Sequence, residues 1–120
     1  MTDRLRFITH QGKQILLIDL SNCRATEVEK VFRSVPDLVT TCPLGSVLIL
    51  SDFTGASCDA EAIRVLQETA VFDKPFVKKS AFVGTGSFPQ EFSENLSSFA
   101  RRAFPDFKTR DEALAWLAKD

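Results

Sequence analysis

Two short runs of consecutive apolar residues constrain the fold of this 120-residue chain most strongly. Ile15–Ile18 and Val47–Leu50 consist only of leucine, isoleucine and valine, and both are far too short to cross a bilayer. Runs of this kind are typical of strands that are buried on both faces of a sheet. Because such a strand needs helices on both sides, they predict an α/β domain with Val47–Leu50 as a central strand.

The first apolar run and the residues before it predict a β-hairpin. Leu5–Thr9 and Gln14–Asp19 are strand-like, and Gln11-Gly12 between them supplies a residue that adopts positive φ at a tight turn. The first strand is therefore expected to be antiparallel to the second.

Apolar residues at spacings of three and four predict two helices around the central strand. Asp59 is expected to cap the second helix, and Lys74-Pro75 to end it. Pro36 lacks an amide donor and is expected either to kink the first helix or to begin a second short one. The expected core positions are Val28, Val31, Phe32, Val35, Leu38 and Val39 in the first helix, and Ala62, Ile63, Leu66 and Ala70 in the second.

The second half of the chain continues the alternation of strands and helices. A strand formed by Phe76-Val77 and Ala81–Val83 is expected to end at Gly84-Thr85-Gly86, and Phe104–Phe107 predicts a further short strand. Two more helices are predicted, one with Pro89 in its first turn and one with a Thr109 and Glu112 capping box. Their apolar faces comprise Phe88, Phe92, Leu96 and Phe99, followed by Arg101-Arg102 at the helix end, and then Ala113, Trp116 and Leu117.

The resulting order of elements, β-β-α-β-α-β-α-(β)-α, predicts a single α/β domain over residues 1–120. Its mainly parallel β-sheet starts with an N-terminal antiparallel hairpin and is flanked by about four helices. The residues are 44% hydrophobic and 26% charged, which is typical of a folded globular protein.

The charge balance argues against nucleic acid as a partner. Fifteen basic and sixteen acidic residues give a formal net charge of −1. The N-terminal residues lead directly into a strand pattern without an apolar signal segment, so the expected location is cytoplasmic.

The sequence lacks the residues that metal sites and the common catalytic triads require. Cys23, Cys42 and Cys58 are widely separated, which favours buried or idle thiols, and His10 is the only histidine. We therefore expect no metal, no cofactor and no enzymatic activity.

Candidate functional residues follow the predicted parallel strands, where ligands and partners of open α/β sheets commonly bind. The first loop offers a partner-binding or switch site in which a phosphate on Ser57 or Thr54 would add about two negative charges. Alternatively, its residues only turn the chain and cap a helix. The residues of this first loop are Asp52, Thr54, Gly55, Ser57 and Asp59.

The second loop, Gly84-Thr85-Gly86-Ser87, is either an anion-binding loop for a ligand or a structural glycine turn. Lys78-Lys79, in the strand before it, is either a solvated pair or a contact for an acidic surface.

Four stretches resemble the STAS/SpoIIAA-like family of small bacterial proteins: Gly12–Asp19, Val47–Gly55, Asp73–Gly84 and Phe107–Leu117. The resemblance spans nearly the whole chain and implies the same α/β fold. Related STAS domains antagonise anti-sigma factors, and a phosphorylatable serine near the start of a helix controls their partner binding. In this sequence Ser57 stands in the corresponding region, within Thr54-Gly55-Ala56-Ser57-Cys58-Asp59.

The resemblance implies a non-enzymatic regulatory or protein-interaction module whose partner is a regulatory protein or kinase. A second hypothesis is a small-molecule binder that holds an apolar or amphipathic ligand between the sheet and a helix carrying Phe88, Phe92 and Phe99. A homodimer formed through a sheet edge or helix face is compatible with either hypothesis.

Overall fold

The computed structural model describes residues 4–88, 92–101 and 103–119. Strands β1 (Leu5–His10) and β2 (Lys13–Asp19) form the predicted hairpin, and Gln11 and Gly12 both have positive φ at its turn. Two successive positive φ values are what a type I′ turn requires, so the Gln11-Gly12 dipeptide fits this hairpin.

The remaining elements alternate as the sequence predicts. They are α1 (Ala25–Val39), β3 (Val47–Asp52), α2 (Ala60–Asp73), β4 (Val77–Val83), a 3₁₀ turn (Thr85–Ser87), α3 (Phe92–Ala100), β5 (Asp106–Phe107) and α4 (Arg110–Ala118). The sheet has the order β1-β2-β3-β4-β5, in which only the β1–β2 pair is antiparallel. The predicted fold class and central strand are confirmed.

Alternate residues of the strands divide the core into two parts. Leu16 and Ile18 of β2 pack in the larger cluster with α1, α2 and α3, whereas Ile15 and Leu17 pack in the smaller cluster with α4. Both faces of the sheet are therefore covered, which explains why β2 and β3 need continuous apolar sequences.

Of the two alternatives for Pro36, the start of a second helix is wrong, because α1 is one helix from Ala25 to Val39 with the proline inside it. Proline cannot donate to the Phe32 carbonyl four residues earlier. The hydroxyl of Thr69 in α2 donates to this carbonyl instead, with a long oxygen–oxygen distance of 3.5 Å. A neighbouring helix thus supplies the missing hydrogen-bond donor.

The chain around α3 and β5 requires further corrections. Phe99 is 54% exposed and does not belong to the expected apolar face, whereas Phe92 and Leu96 are buried. The predicted 104–107 strand is limited to Asp106–Phe107. The expected positions of Pro89 and Arg102 lie outside the described residues, and Arg101 follows the end of α3 with a φ of 57°.

In the described ranges, none of the helices has the length and apolarity required of a membrane span.

Candidate functional site

The predicted loop residues begin at the carboxyl edge of the sheet, where β2 and β3 end side by side. Asp19 and Asp52 are the last residues of these strands and are paired in the parallel register. Asp52 is buried, with 5% of the residue exposed. A buried carboxylate has to be compensated by hydrogen bonds or a cation.

Three groups bind the Asp52 carboxylate. Its Oδ1 accepts hydrogen bonds from the Thr54 amide at 2.9 Å and the Thr54 hydroxyl at 2.6 Å. Its Oδ2 accepts from Nε of Arg110 at 2.6 Å. Both oxygens of Asp52 are thus engaged inside the protein, and the residue fixes the base of the loop.

The end of β2 repeats this arrangement. Oδ1 of Asp19 accepts hydrogen bonds from the Ser21 amide at 3.1 Å and the Ser21 hydroxyl at 2.6 Å. Nη2 of Arg110 lies 3.3 Å from the same oxygen. Arg110, the first residue of α4, therefore bridges two strand ends and ties the helix to the sheet.

Electrostatics at Asp19 follow from these contacts. Burial acts to raise the pKa of Asp19, but the hydrogen bonds from Ser21 and the charges of Arg110 and Arg4 outweigh it. The net result is a pKa below the usual aspartate value, so the ionised form is favoured in the folded protein.

The sequence interpretation missed Asp19, Ser21 and Arg110. A signal for the first two was present, because Asp19-Leu20-Ser21 and Asp52-Phe53-Thr54 share an Asp-x-Ser/Thr spacing directly after an apolar strand. Short polar side chains at this spacing commonly bond the backbone two residues on. Arg110 lies 58 positions from Asp52, and only the fold brings it close.

The tip of the loop is exposed above this fixed base. Thr54, Gly55 and Ser57 are exposed, whereas Phe53 and Ala56 are buried. The Ser57 amide donates to the Cys23 carbonyl at 2.9 Å, which anchors the backbone while the side chain faces solvent. The backbone of the tip is therefore anchored at one end by Asp52 and at the other by the Ser57 amide.

Asp59 caps α2 as predicted, because its carboxylate accepts a hydrogen bond from the Ala62 amide at 2.8 Å. The neighbouring Cys58 thiol has a pKa raised to about 11 by burial and by the charge of Asp59. The thiol is therefore protonated near neutral pH.

The second predicted loop meets the first at Gly84. This residue has a φ of 76°, and a Cβ atom there would lie only 2.6 Å from the Thr54 amide nitrogen. Only glycine allows the two turns to approach so closely. The structure thus brings Gly84 and Thr54 together.

Hydrogen bonds within the second loop favour the structural-turn interpretation. The Thr85 hydroxyl donates to Oδ1 of Asp106 at 2.7 Å, and the Phe88 amide donates to the Thr85 carbonyl at 2.9 Å. An anion beside Thr85 would face the Asp106 carboxylate. Gly86 is exposed, and the Ser87 side chain lies outside the described part of the structure.

Two of the three phenylalanines proposed to enclose a ligand, Phe88 and Phe92, pack against other aromatic rings, whereas Phe99 is exposed. Phe88 and Phe92 lie 5.5 and 5.8 Å from the Phe53 ring, between ring centroids, and Phe92 also lies 5.9 Å from Phe82. Nearby, the cavity lined by residues including Phe32, Leu66 and Phe82 has a volume of about 20 Å³. This is room for about one water molecule rather than for an organic ligand.

No cluster of three or more potential metal ligands occurs in residues 4–88, 92–101 and 103–119. The three cysteines are free thiols, of which Cys23 is buried and the other two are partly buried.

Comparison with known proteins identifies the architecture. No protein-family model matches the chain, and no curated protein matches its sequence. A solved structure of an uncharacterised DUF3478-family protein from Shewanella loihica PV-4, which has a SpoIIAA-like fold, superposes with a TM-score of 0.65. The match covers 95% of this chain and 92% of that protein at 15% sequence identity. Together with the observed sheet order, this similarity shows that the chain has a SpoIIAA-like fold.

Proposed function

We propose that this protein is a non-enzymatic regulatory or protein-interaction module whose docking face is the 52–59 loop and the start of α2. The observation that carries the proposal is the contrast between the exposed tip of the loop and its fixed base. Thr54, Gly55 and Ser57 face solvent, while Asp52 below them is bound by Arg110. A surface that is already ordered loses little conformational entropy when a partner binds.

Ser57 is the better of the two candidate switch residues. The Thr54 hydroxyl donates to the buried Asp52 carboxylate, so a phosphate on Thr54 would break that bond and place like charges together. The Ser57 side chain is exposed, and it lies two residues before the Asp59 cap of α2. A phosphate at Ser57 would change the charge of the docking face while the supporting hydrogen bonds remain in place.

The proposal is tested by locating the partner and then measuring its affinity. A photo-reactive amino acid is introduced at position 57 or, as a matched control, at exposed Ser98 in α3. We expect position 57 to cross-link a specific protein in cells of the native host, and position 98 not to do so. Equal capture at the two positions would contradict the proposed face.

The purified partner is then titrated calorimetrically with the wild type, Ser57→Asp and Ser98→Asp. We expect Ser57→Asp to weaken binding about tenfold, equivalent to roughly 1.4 kcal/mol, because it adds a charge within the interface. Ser98→Asp is expected to retain the wild-type affinity. The same affinity for all three proteins would refute a switch at this loop.

Native and denaturing mass spectra of the protein from its own host test the covalent part of the proposal. A phosphate mapped to Ser57 supports the switch. A bound mass that is lost on denaturation supports the alternative of a ligand carrier.

A further inference from the structure

A basic pocket lies at the amino edge of the sheet, opposite the 52–59 loop. It has a volume of about 340 Å³, within the range of pockets that bind small molecules. The lining residues are Lys74, Val77, Lys78, Lys79, Ser80, Ala103 and Trp116. Three lysines thus combine with an aromatic ring and two aliphatic side chains.

Two of these lysines lie at a shift in register between β3 and β4. Val47 pairs with Val77 and Leu48 pairs with Lys79, so Lys78 is the extra residue in β4. Adjacent strand residues ordinarily point to opposite faces of a sheet, and a bulge re-aims one of them. Lys78 and Lys79 both line the pocket beside this shift in register.

Lys79 is held in a defined position. Its ammonium nitrogen donates to the carbonyls of Trp116 at 3.2 Å and Lys119 at 2.6 Å, and lies 5.0 Å from the centre of the Trp116 ring. An ammonium group has three donors, so one remains for a ligand. The last turn of α4 therefore orients this positive charge.

The lysine charges are not neutralised by ion pairs within the described chain. No carboxylate of residues 4–88, 92–101 or 103–119 forms a salt bridge with Lys74, Lys78 or Lys79. Three positive charges around one pocket favour a multiply charged anion, and lysine commonly binds phosphate groups.

We propose that this pocket binds a small organic phosphate, with the phosphate at Lys74, Lys78 and Lys79 and the apolar part against Val77, Ala103 and Trp116. This site is independent of the proposed docking face. It gives the Lys78-Lys79 pair a small anionic ligand, whereas the sequence suggested a solvated pair or a contact for an acidic surface.

The single tryptophan makes the proposal directly testable, since the chain contains no tyrosine and Trp116 dominates its ultraviolet fluorescence. The intact protein is titrated with phenyl phosphate, and phenol and inorganic phosphate serve as probes of the separate ligand parts. We expect a saturable change in Trp116 fluorescence with phenyl phosphate, and weaker binding of each of the other two compounds. Phenol binding as tightly as phenyl phosphate would overturn the assignment of an anion site.

Lys78→Gln removes one of the three positive charges that line the pocket. Lys30→Gln, which removes an exposed lysine charge from α1, is the matched control. We expect Lys78→Gln to raise the Kd for phenyl phosphate about tenfold, as for loss of one charge-assisted hydrogen bond, and Lys30→Gln to leave it unchanged. Lys74→Gln provides a second variant, and thermal unfolding verifies that each variant is folded. The absence of saturable binding up to about 10 mM, ten times a Kd of about 1 mM, would overturn the proposal. Equal weakening by Lys78→Gln and Lys30→Gln would also overturn it.

Discussion

At the scale of single residues, Arg110 has the largest structural role at the carboxyl edge of the sheet. Its guanidinium contacts the carboxylates of Asp19 and Asp52, and the Asp52 side chain is only 7% exposed. Removal of one partner from a buried ion pair leaves the other charge uncompensated, which costs more than the pair itself contributes. Removal of Arg110 is therefore expected to lower the free energy of unfolding of the whole domain.

We expect Arg110→Met to lower the free energy of unfolding by about 2 kcal/mol, less than for a fully buried pair because Arg110 is partly exposed. Urea denaturation measures this change. Arg64→Met removes an arginine whose ion pairs with Glu61 and Glu68 lie on the surface of α2, and is expected to have a much smaller effect. Equal losses in the two variants would show that the Arg110 bridge contributes no more than a surface pair.

The lowered pKa of Asp19 predicts how the free energy of unfolding depends on pH. Its pKa is lowered in the folded state, so the unfolded chain binds a proton more readily than the native protein does. The stabilising contribution is complete above the unfolded pKa of about 3.9 and is lost as the pH falls through the lower, folded pKa. We expect the unfolding free energy of Asp19→Asn to fall less steeply than that of wild type below about pH 5. Parallel pH profiles in urea denaturation would contradict this assignment.

At the scale of secondary-structure elements, α1 and α2 are joined by a hydrogen bond that compensates for a proline. The Phe32 carbonyl loses its intrahelical donor at Pro36 and accepts from the Thr69 hydroxyl. Thr69 is buried, with 9% of the residue exposed. We therefore expect Thr69 to stabilise α1 at the turn that Pro36 interrupts.

A double-mutant cycle measures this dependence. We expect Thr69→Val to lower the unfolding free energy by about 1 kcal/mol, the usual net contribution of one hydrogen bond. In the Pro36→Ala background the restored backbone amide can bond the Phe32 carbonyl, so Thr69→Val should cost less there. The same cost in both backgrounds, measured by urea denaturation, would mean that the two residues are not coupled.

At the scale of the whole molecule, the net charge of −1 conceals an uneven distribution. The carboxyl edge of the sheet carries Asp19, Asp52, Asp59, Asp106 and Asp111, of which Asp19 and Asp52 are paired with Arg110. Lysines occupy the amino edge, at Lys13, Lys74, Lys78, Lys79 and Lys119. The proposed docking face and phosphate pocket thus differ in charge as well as in position.

Successive residues of β2 and β3 pack alternately in the two core clusters, so both clusters depend on the same strands and the domain should unfold as one unit. Trp116 reports on the smaller cluster beneath α4, whereas far-UV circular dichroism reports mainly on the four helices. We expect both signals to follow the same urea transition, as in two-state unfolding of a small domain. A fluorescence transition at lower urea concentration would instead show that α4 detaches before the rest unfolds.

The order and type of the elements could be predicted from the sequence, because strand burial, helix periodicity and capping are local patterns. Val47–Leu50, the Gln11-Gly12 turn and the Asp59 cap could each be predicted from a few neighbouring residues. The exposed candidates Thr54 and Ser57 were also identified, since they follow a predictable strand.

The contacts between distant residues could not be predicted from the sequence, because they depend on how the elements pack. Arg110 reaches Asp19 and Asp52 because parallel strands and the following helix converge at one edge, and Thr69 completes α1 because two helices pack together. The pocket at Lys78 combines residues of β4 with Trp116 of α4, which lies far away in the sequence. Such contacts arise from packing between segments far apart in the chain, and no local pattern encodes them.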